Sequence, residues 1–202
     1  MKRTYTARSL IGDGKRTSLL ATLLIGVSLL VGMNNASAFY NGSKSSYYQC
    51  AKTRLSHFDG TITEAAIATQ ELSTLKDLVV LAGLADELAD EDANYTVFAP
   101  VNSAFGALPD FLVAGLTAAD MNGQYPGLSN VLLYHVLPNK VDPRRVFYIR
   151  EVNTLGGQTL FLSRDRKAPM VNQSVVDCQG VKTRNGVVWF IDSVLLPQFI
   201  AE

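Results

Sequence analysis

Tyr95-Thr96-Val97-Phe98-Ala99-Pro100-Val101-Asn102-Ser103-Ala104-Phe105 decides how the rest of the chain is read. Tyr95 to Ala99 is rich in β-branched and aromatic residues, which suit a pleated strand. Pro100 has no amide hydrogen with which to continue a ladder, so the strand is predicted to end there. Asn102 is a helix-capping residue type, and Ala104, Phe105 and Leu108 follow at helical spacing.

Upstream, the pattern is helical. Thr61-Ile62-Thr63-Glu64 has the spacing of a capping box, in which hydroxyl and carboxylate each satisfy a free amide at the helix start. Thr74 to Asp77 repeats the spacing. Leu75, Leu78, Val79 and Ala82 then share one helical face, and Gly83 is a C-terminal stop. Leu84, Ala85 and Leu88 suggest a further turn. Downstream, a second helical piece follows Pro109-Asp110, and Leu128 to Tyr134 carries Leu128, Val131 and Leu132 on one face. Beyond residue 146 the period falls to two. Val152 to Leu155 and Gln158 to Leu162 read as a hairpin, with Gly156 and Gly157 supplying positive φ at the turn. Met170–Asn172, Val175–Cys178 and Val187–Val194 read as further strands, and Asn185-Gly186 as a tight turn. Helices first and strands afterwards predict an α+β domain rather than a parallel α/β sheet. No internal repeat is visible.

The chain has 202 residues and is 48% hydrophobic, enough for one domain with a substantial core. Residues 1–38 hold five of the 18 basic residues and one of the 18 acids, which leaves 13 cations and 17 carboxylates beyond residue 38, a net of −4. That balance argues against nucleic acid as a partner, and an anionic membrane is not expected either. Residues 1–38 read as an export signal. Lys15-Arg16 precede an apolar run from Leu19 to Val31, and Ala36-Ser37-Ala38 offers the small residues of a cleavage site after Ala38. The run is shorter than the roughly 20 residues that span a bilayer, so no membrane span is expected after processing. Residues 39–57 read as a flexible lead-in, with order beginning near Cys50. Cys50 and Cys178 are the two cysteines. In an oxidising compartment they are expected to pair, two separate buried thiols being the alternative.

Three stretches together carry a family resemblance: Thr96, Val97, Phe98, Ala99, Pro100, Asn102, Ala104 and Phe105; Tyr134-His135; and Asn185, Gly186, Ile191, Asp192, Val194, Leu195 and Pro197. In order and spacing they resemble the motifs of the fasciclin-like FAS1 domain, over residues 58–200. The resemblance implies a wedge-shaped β-sandwich packed with several short helices. It implies a secreted or periplasmic protein of adhesion or surface and matrix interaction, binding a surface protein or polysaccharide. In some members the domain resembles a carrier of lipophilic molecules such as carotenoids. It also implies a structural His135, hydrogen-bonded to Asn102. Trp189 departs from the family pattern, and both cysteines are additions to it.

Signals for chemistry are sparse. His57 and His135 are the two histidines, and no Gly-x-Ser-x-Gly elbow or His-Glu-x-x-His pair accompanies them. Gly12-Asp13-Gly14-Lys15 lacks the first glycine and the final hydroxyl of a phosphate loop. Asp86, Glu87, Asp90, Glu91 and Asp92 lack calcium-loop spacing and read as a solvated helix end. Asn41, Asn94 and Asn172 are formal glycosylation acceptors. A non-catalytic binding protein without a cofactor or metal is therefore expected. The rival readings are a hydrolase, and a lipophilic-ligand carrier with a groove lined by Phe111, Phe147 and Trp189.

Overall fold

The computed structural model describes residues 47–119, 123–165 and 168–198. The export-signal reading of residues 1–38, the glycine-rich stretch within it and the Asn41 sequon lie outside these residues. The element order is α1 (Tyr47–Lys52), β1 (Ser56–His57), α2 (Ile62–Ala68), α3 (Ser73–Leu81), β2 (Tyr95–Pro100), α4 (Asn102–Gly106), α5 (Asp110–Leu116), α6 (Pro126–Tyr134) and β3 (Val136–Leu137). A strand-rich half follows: β4 (Arg150–Asn153), β5 (Thr159–Arg164), β6 (Pro169–Val171), β7 (Ser174–Val175), β8 (Val181–Lys182) and β9 (Gly186–Ile191). The lead-in is thus structured from Tyr47, and its last two residues, Ser56 and His57, pair in parallel with Val181 and Lys182.

Two sheets form. One has the order β1-β8-β9-β2-β3, the other β4-β5-β6-β7. The second is antiparallel throughout, as short hairpin connections require. The first is mixed. β2 and β9 lie side by side in parallel, from Tyr95 opposite Gly186 to Pro100 opposite Ile191. The α+β reading holds, but the central pair of the first sheet is parallel, which periodicity alone did not indicate.

Both faces of β2 and β9 are buried, so both strands read as nearly unbroken apolar runs. Val97, Ala99 and Val188 join a core with Ile62, Leu72, Leu75, Val79 and Leu132 of the helical layer. Phe98, Val187, Trp189 and Ile191 join a second core with Leu160, Leu162 and Val171 of the other sheet. Alternation along each strand assigns its side chains to the two cores in turn.

The local signals succeed where their partners are near in sequence. Thr61 and Glu64 form the capping box, and Gly83 ends the α3 segment with φ of 71°. At the predicted hairpin only Gly157 takes positive φ, at 79°. Gly156 serves close approach instead: its amide donates to Leu133 O at 3.1 Å, and a Cβ there would sit 3.1 Å from the Tyr134 nitrogen. Cys50 and Cys178 are joined by a disulfide with Cα atoms 4.9 Å apart. It ties α1 to the segment between β7 and β8.

The parallel pairing rests on a missing side chain at Gly186. A Cβ there would overlap the carbonyl oxygen of Tyr95 and meet Ile62 Cδ1 at 2.8 Å. Gly186→Ala is expected to lower stability by about 2 kcal/mol, as overpacked sites do. Gly115→Ala, in α5 with open space around the site, should raise stability by roughly 0.5–1 kcal/mol. Thermal melts of both variants check the pair. Equal effects would show that close approach at Gly186 is not the constraint.

Candidate functional site

The polar residues of the three motifs are spent mostly on backbone partners, many of them far away in sequence. His135 follows α6 and is buried. The Leu195 amide donates to its Nε2 at 2.9 Å, so the ring proton resides on Nδ1, which donates to Val131 O at 2.7 Å. The ring ties α6 to the segment after β9. Burial pushes its pKa down to about 4. With both nitrogens engaged, the neutral ring is a brace between backbone groups.

Asn102 does not meet His135, contrary to the pairing implied by the family resemblance, and it does not cap its own helix. Val101 occupies the cap position of α4 without a side-chain bond. Asn102 Oδ1 instead accepts from the Thr74 amide at 3.0 Å, while Nδ2 donates to Gln70 O and Ser73 Oγ, each at 3.0 Å. It therefore caps α3 across the fold. The cap expected from Thr74 and Asp77 does not form: Leu72 precedes α3 and offers no side-chain bond.

Asn185 is the deepest of these braces, with no exposed surface. Its Oδ1 accepts from the Ile62 amide at 2.9 Å at the start of α2, and its Nδ2 donates to Leu88 O and Asp90 O at 2.9 and 2.8 Å. Its role is therefore wider than the tight turn read from sequence. Tyr134 donates its hydroxyl to Thr159 O and accepts from Asn172 Nδ2, both at 3.1 Å. Asn172 has a φ of 50°, and its Oδ1 accepts from the Phe161 amide at 2.9 Å. Asp192 Oδ1 accepts from the Val175 amide at 2.9 Å, linking the ends of β7 and β9. Phe98 and Pro197 are buried, and Phe105 packs half-buried against the helical core.

One motif residue positions a surface. Thr96 Oγ1 donates to Asn139 O at 2.7 Å and accepts from the Val141 amide at 2.8 Å, which fixes the root of the loop between β3 and β4. Asp142 then accepts from the Arg144 amide at 3.0 Å and grips its guanidinium with both oxygens, each at 2.9 Å. Arg144 is 4% exposed. It stacks 4.8 Å above the Trp189 ring centroid and donates to Thr53 O and Cys178 O. Sequence reading missed this residue; Asp142-Pro143-Arg144 was its only local signal. Val146 is buried. From that anchored base Phe147, Tyr148 and Ile149 project outward, 62%, 87% and 75% exposed.

The expected aromatic groove is not assembled. Trp189 is sealed between the sheets, Phe111 is 78% exposed on α5, and Phe147 stands on the loop. Two apolar pockets of about 90 and 120 Å³ flank Leu75, Leu132 and His135, and an open concavity of about 900 Å³ lies beside the loop, with Lys140, Arg145, Phe147, Arg150 and Arg164 among its walls. Among the described residues no group of three His, Cys, Asp or Glu side chains could hold a metal ion, and no helix is long and apolar enough to cross a membrane.

The model of the fasciclin domain matches residues 70–197, and the chain belongs to the fasciclin family. It is 38% identical to protein sll1483 of Synechocystis over 138 residues, 68% of this chain and 73% of that one. It is 33% identical to the immunogenic protein MPB70 of Mycobacterium bovis, over 67% of this chain and 68% of the relative. Over 103 residues it is 38% identical to the cell surface glycolipoprotein MPB83 of the same organism, a match of 51% of this chain and only 44% of that one. The fold is similar to a FAS1 domain pair from the insect cell adhesion molecule fasciclin I, with a TM-score of 0.56 at 13% identity, covering 69% of this chain and 51% of that chain.

Two predictions follow from the braces. Asn185→Ala strips partners from three backbone groups, two of them in buried bonds, and should cost about 2–3 kcal/mol. A loss below roughly 1 kcal/mol, read from denaturant unfolding, would show that water replaces the amide. His135 has a folded-state pKa of about 4 against an ordinary 6.5. The unfolded chain therefore binds the extra proton between those values. The contribution of His135 is fully present above pH 6.5 and is lost as pH falls toward 4, for a total of roughly 3 kcal/mol. Burial raises the Asp177 pKa, which gives an opposite slope in the carboxylate range. His135→Gln should flatten the decline between pH 6.5 and 4; an unchanged profile would refute the assignment.

Proposed function

We propose that this chain is a non-catalytic binding domain, exported to the periplasm or the cell exterior, that works by adhesion or contact with a surface or matrix component. The observation that carries this reading is a contrast. The polar motif side chains are engaged inside the fold, while Phe147, Tyr148 and Ile149 stand exposed on a loop braced from below. A general base needs a free lone pair and a nucleophile within reach. His135 offers its lone pair to the Leu195 amide. Three consecutive large apolar side chains facing solvent are a contact surface rather than a packing defect. The cell-surface name of the mycobacterial relative is consistent with an exported role.

A surface protein or polysaccharide fits this reading. The carrier alternative is weaker. The two apolar pockets of about 90 and 120 Å³ fall well below the roughly 300 Å³ of the smallest drug-sized sites. The larger concavity beside the loop, about 900 Å³, has Lys140, Asp142, Arg145, Arg150 and Glu151 in its walls rather than a wholly apolar lining.

Binding of purified protein to cell-envelope fractions tests the proposal. Phe147→Ser/Ile149→Ser should reduce bound protein by about tenfold or more with little change in Tm, since each buried aromatic or aliphatic anchor contributes at the scale of 1.5–3 kcal/mol. His135→Gln should reduce binding only as far as folded protein is lost. Hydrolytic turnover that disappears in His135→Gln at unchanged Tm would overturn the non-catalytic reading.

A further inference from the structure

We propose that the loop of residues 140–150 docks on an anionic lipid bilayer, with Phe147, Tyr148 and Ile149 entering the interface and Lys140, Arg145 and Arg150 meeting the headgroups. This rests on reading the loop as the contact surface and names what it contacts. A net charge of −4 led to the expectation that an anionic membrane is not a partner. The distribution of charge reverses it. Residues 140–167 hold seven cations and three carboxylates, whereas the rest of the chain beyond residue 38 holds six and fourteen. The cations are gathered on the segment that carries the exposed apolar tip.

Geometry adds to composition. Of the nearby carboxylates, Asp142 is gripped by Arg144 and also pairs with Arg145 at 3.4 Å, and Glu151 is exposed, which leaves the cations of the loop in excess. The Arg145 side chain is 76% exposed, and Lys140 and Arg150 are exposed. The Arg164 guanidinium lies 5.3 Å from the Phe147 ring centroid. The three tip residues all project, where a strand would turn every second side chain inward. An apolar tip ringed by cations is the arrangement that interfacial insertion needs: the rings and the aliphatic chain leave water, and the charges stay at headgroup level.

Co-sedimentation of the purified full chain with vesicles tests this. One set is pure phosphatidylcholine, the other contains about one-quarter phosphatidylglycerol. The chain should sediment with the second set at low salt and much less with the first, and added salt should weaken the binding. Phe147→Ser/Ile149→Ser and Arg145→Glu/Arg150→Glu should each lower the partition coefficient by about tenfold or more at unchanged Tm. Tyr148→Asp supplies an independent variant should either pair fail to fold. No sedimentation with phosphatidylglycerol, equal sedimentation with both sets, wild-type partition in the loop variants, or loop-dependent self-association without vesicle binding would each overturn the proposal. Loop-dependent binding to delipidated envelope without vesicle binding would also overturn it, while leaving the broader surface-contact reading standing. Loss of both would remove both.

Discussion

Six residue pairs, from Tyr95 with Gly186 to Pro100 with Ile191, hold β2 and β9 in parallel at the centre of the first sheet. Both cores depend on that register. A shift by one residue would turn Phe98, Trp189 and Ile191 toward the helices and Val97, Ala99 and Val188 toward the second sheet. The two strands lie in different halves of the chain, so closing them orders a long intervening segment, a cost that only well-filled cores offset. Asn185 lies immediately before β9 and bonds the start of α2 and the turn before β2. Register of the sheet and placement of the helical layer are therefore set at one point.

The FAS1 motifs make sense in these terms. They resemble a site when written in a line, because Asn, His, Asp and Tyr are the residues that catalysis uses. In space each serves a different joint. Asn102 caps a helix that begins 29 residues earlier, and His135 accepts from an amide 60 residues later. A polar side chain with two or three backbone partners fixes the angle between elements more tightly than apolar contact alone, because its hydrogen bonds are directional. The reactive-looking residues form the frame, and the exposed apolar side chains of Phe147, Tyr148 and Ile149 lie on a loop outside the motifs.

What could be read from sequence follows the reach of each interaction. The capping box at Thr61 and Glu64, the apolar face of α3, the stop at Gly83 and the hairpin at Gly157 are local devices, and their residue types carry their meaning. The family resemblance added the sandwich and the structural character of His135. The partners of Asn102 and His135 were not legible, since nothing in the neighbouring residues names a donor 28 or 60 positions away. Strands of two residues, such as β1 and β8, are too short to show a period. Arg144 was missed for a related reason: an arginine in a basic stretch reads as solvated, and its burial depends on Asp142, Trp189 and two backbone carbonyls arriving together. Whole-chain charge hid the basic loop because a sum discards position.

The disulfide also determines how the domain carries tension. Cys50 and Cys178 are 128 residues apart in sequence but directly bonded. A pull on the chain ahead of Cys50 passes straight to Cys178, and the residues between lie on a slack bypass. Arg144 holds the carbonyls of both Thr53 and Cys178, three positions before Phe147. The amino-terminal side is thus joined to the base of the exposed loop by one covalent bond and one guanidinium.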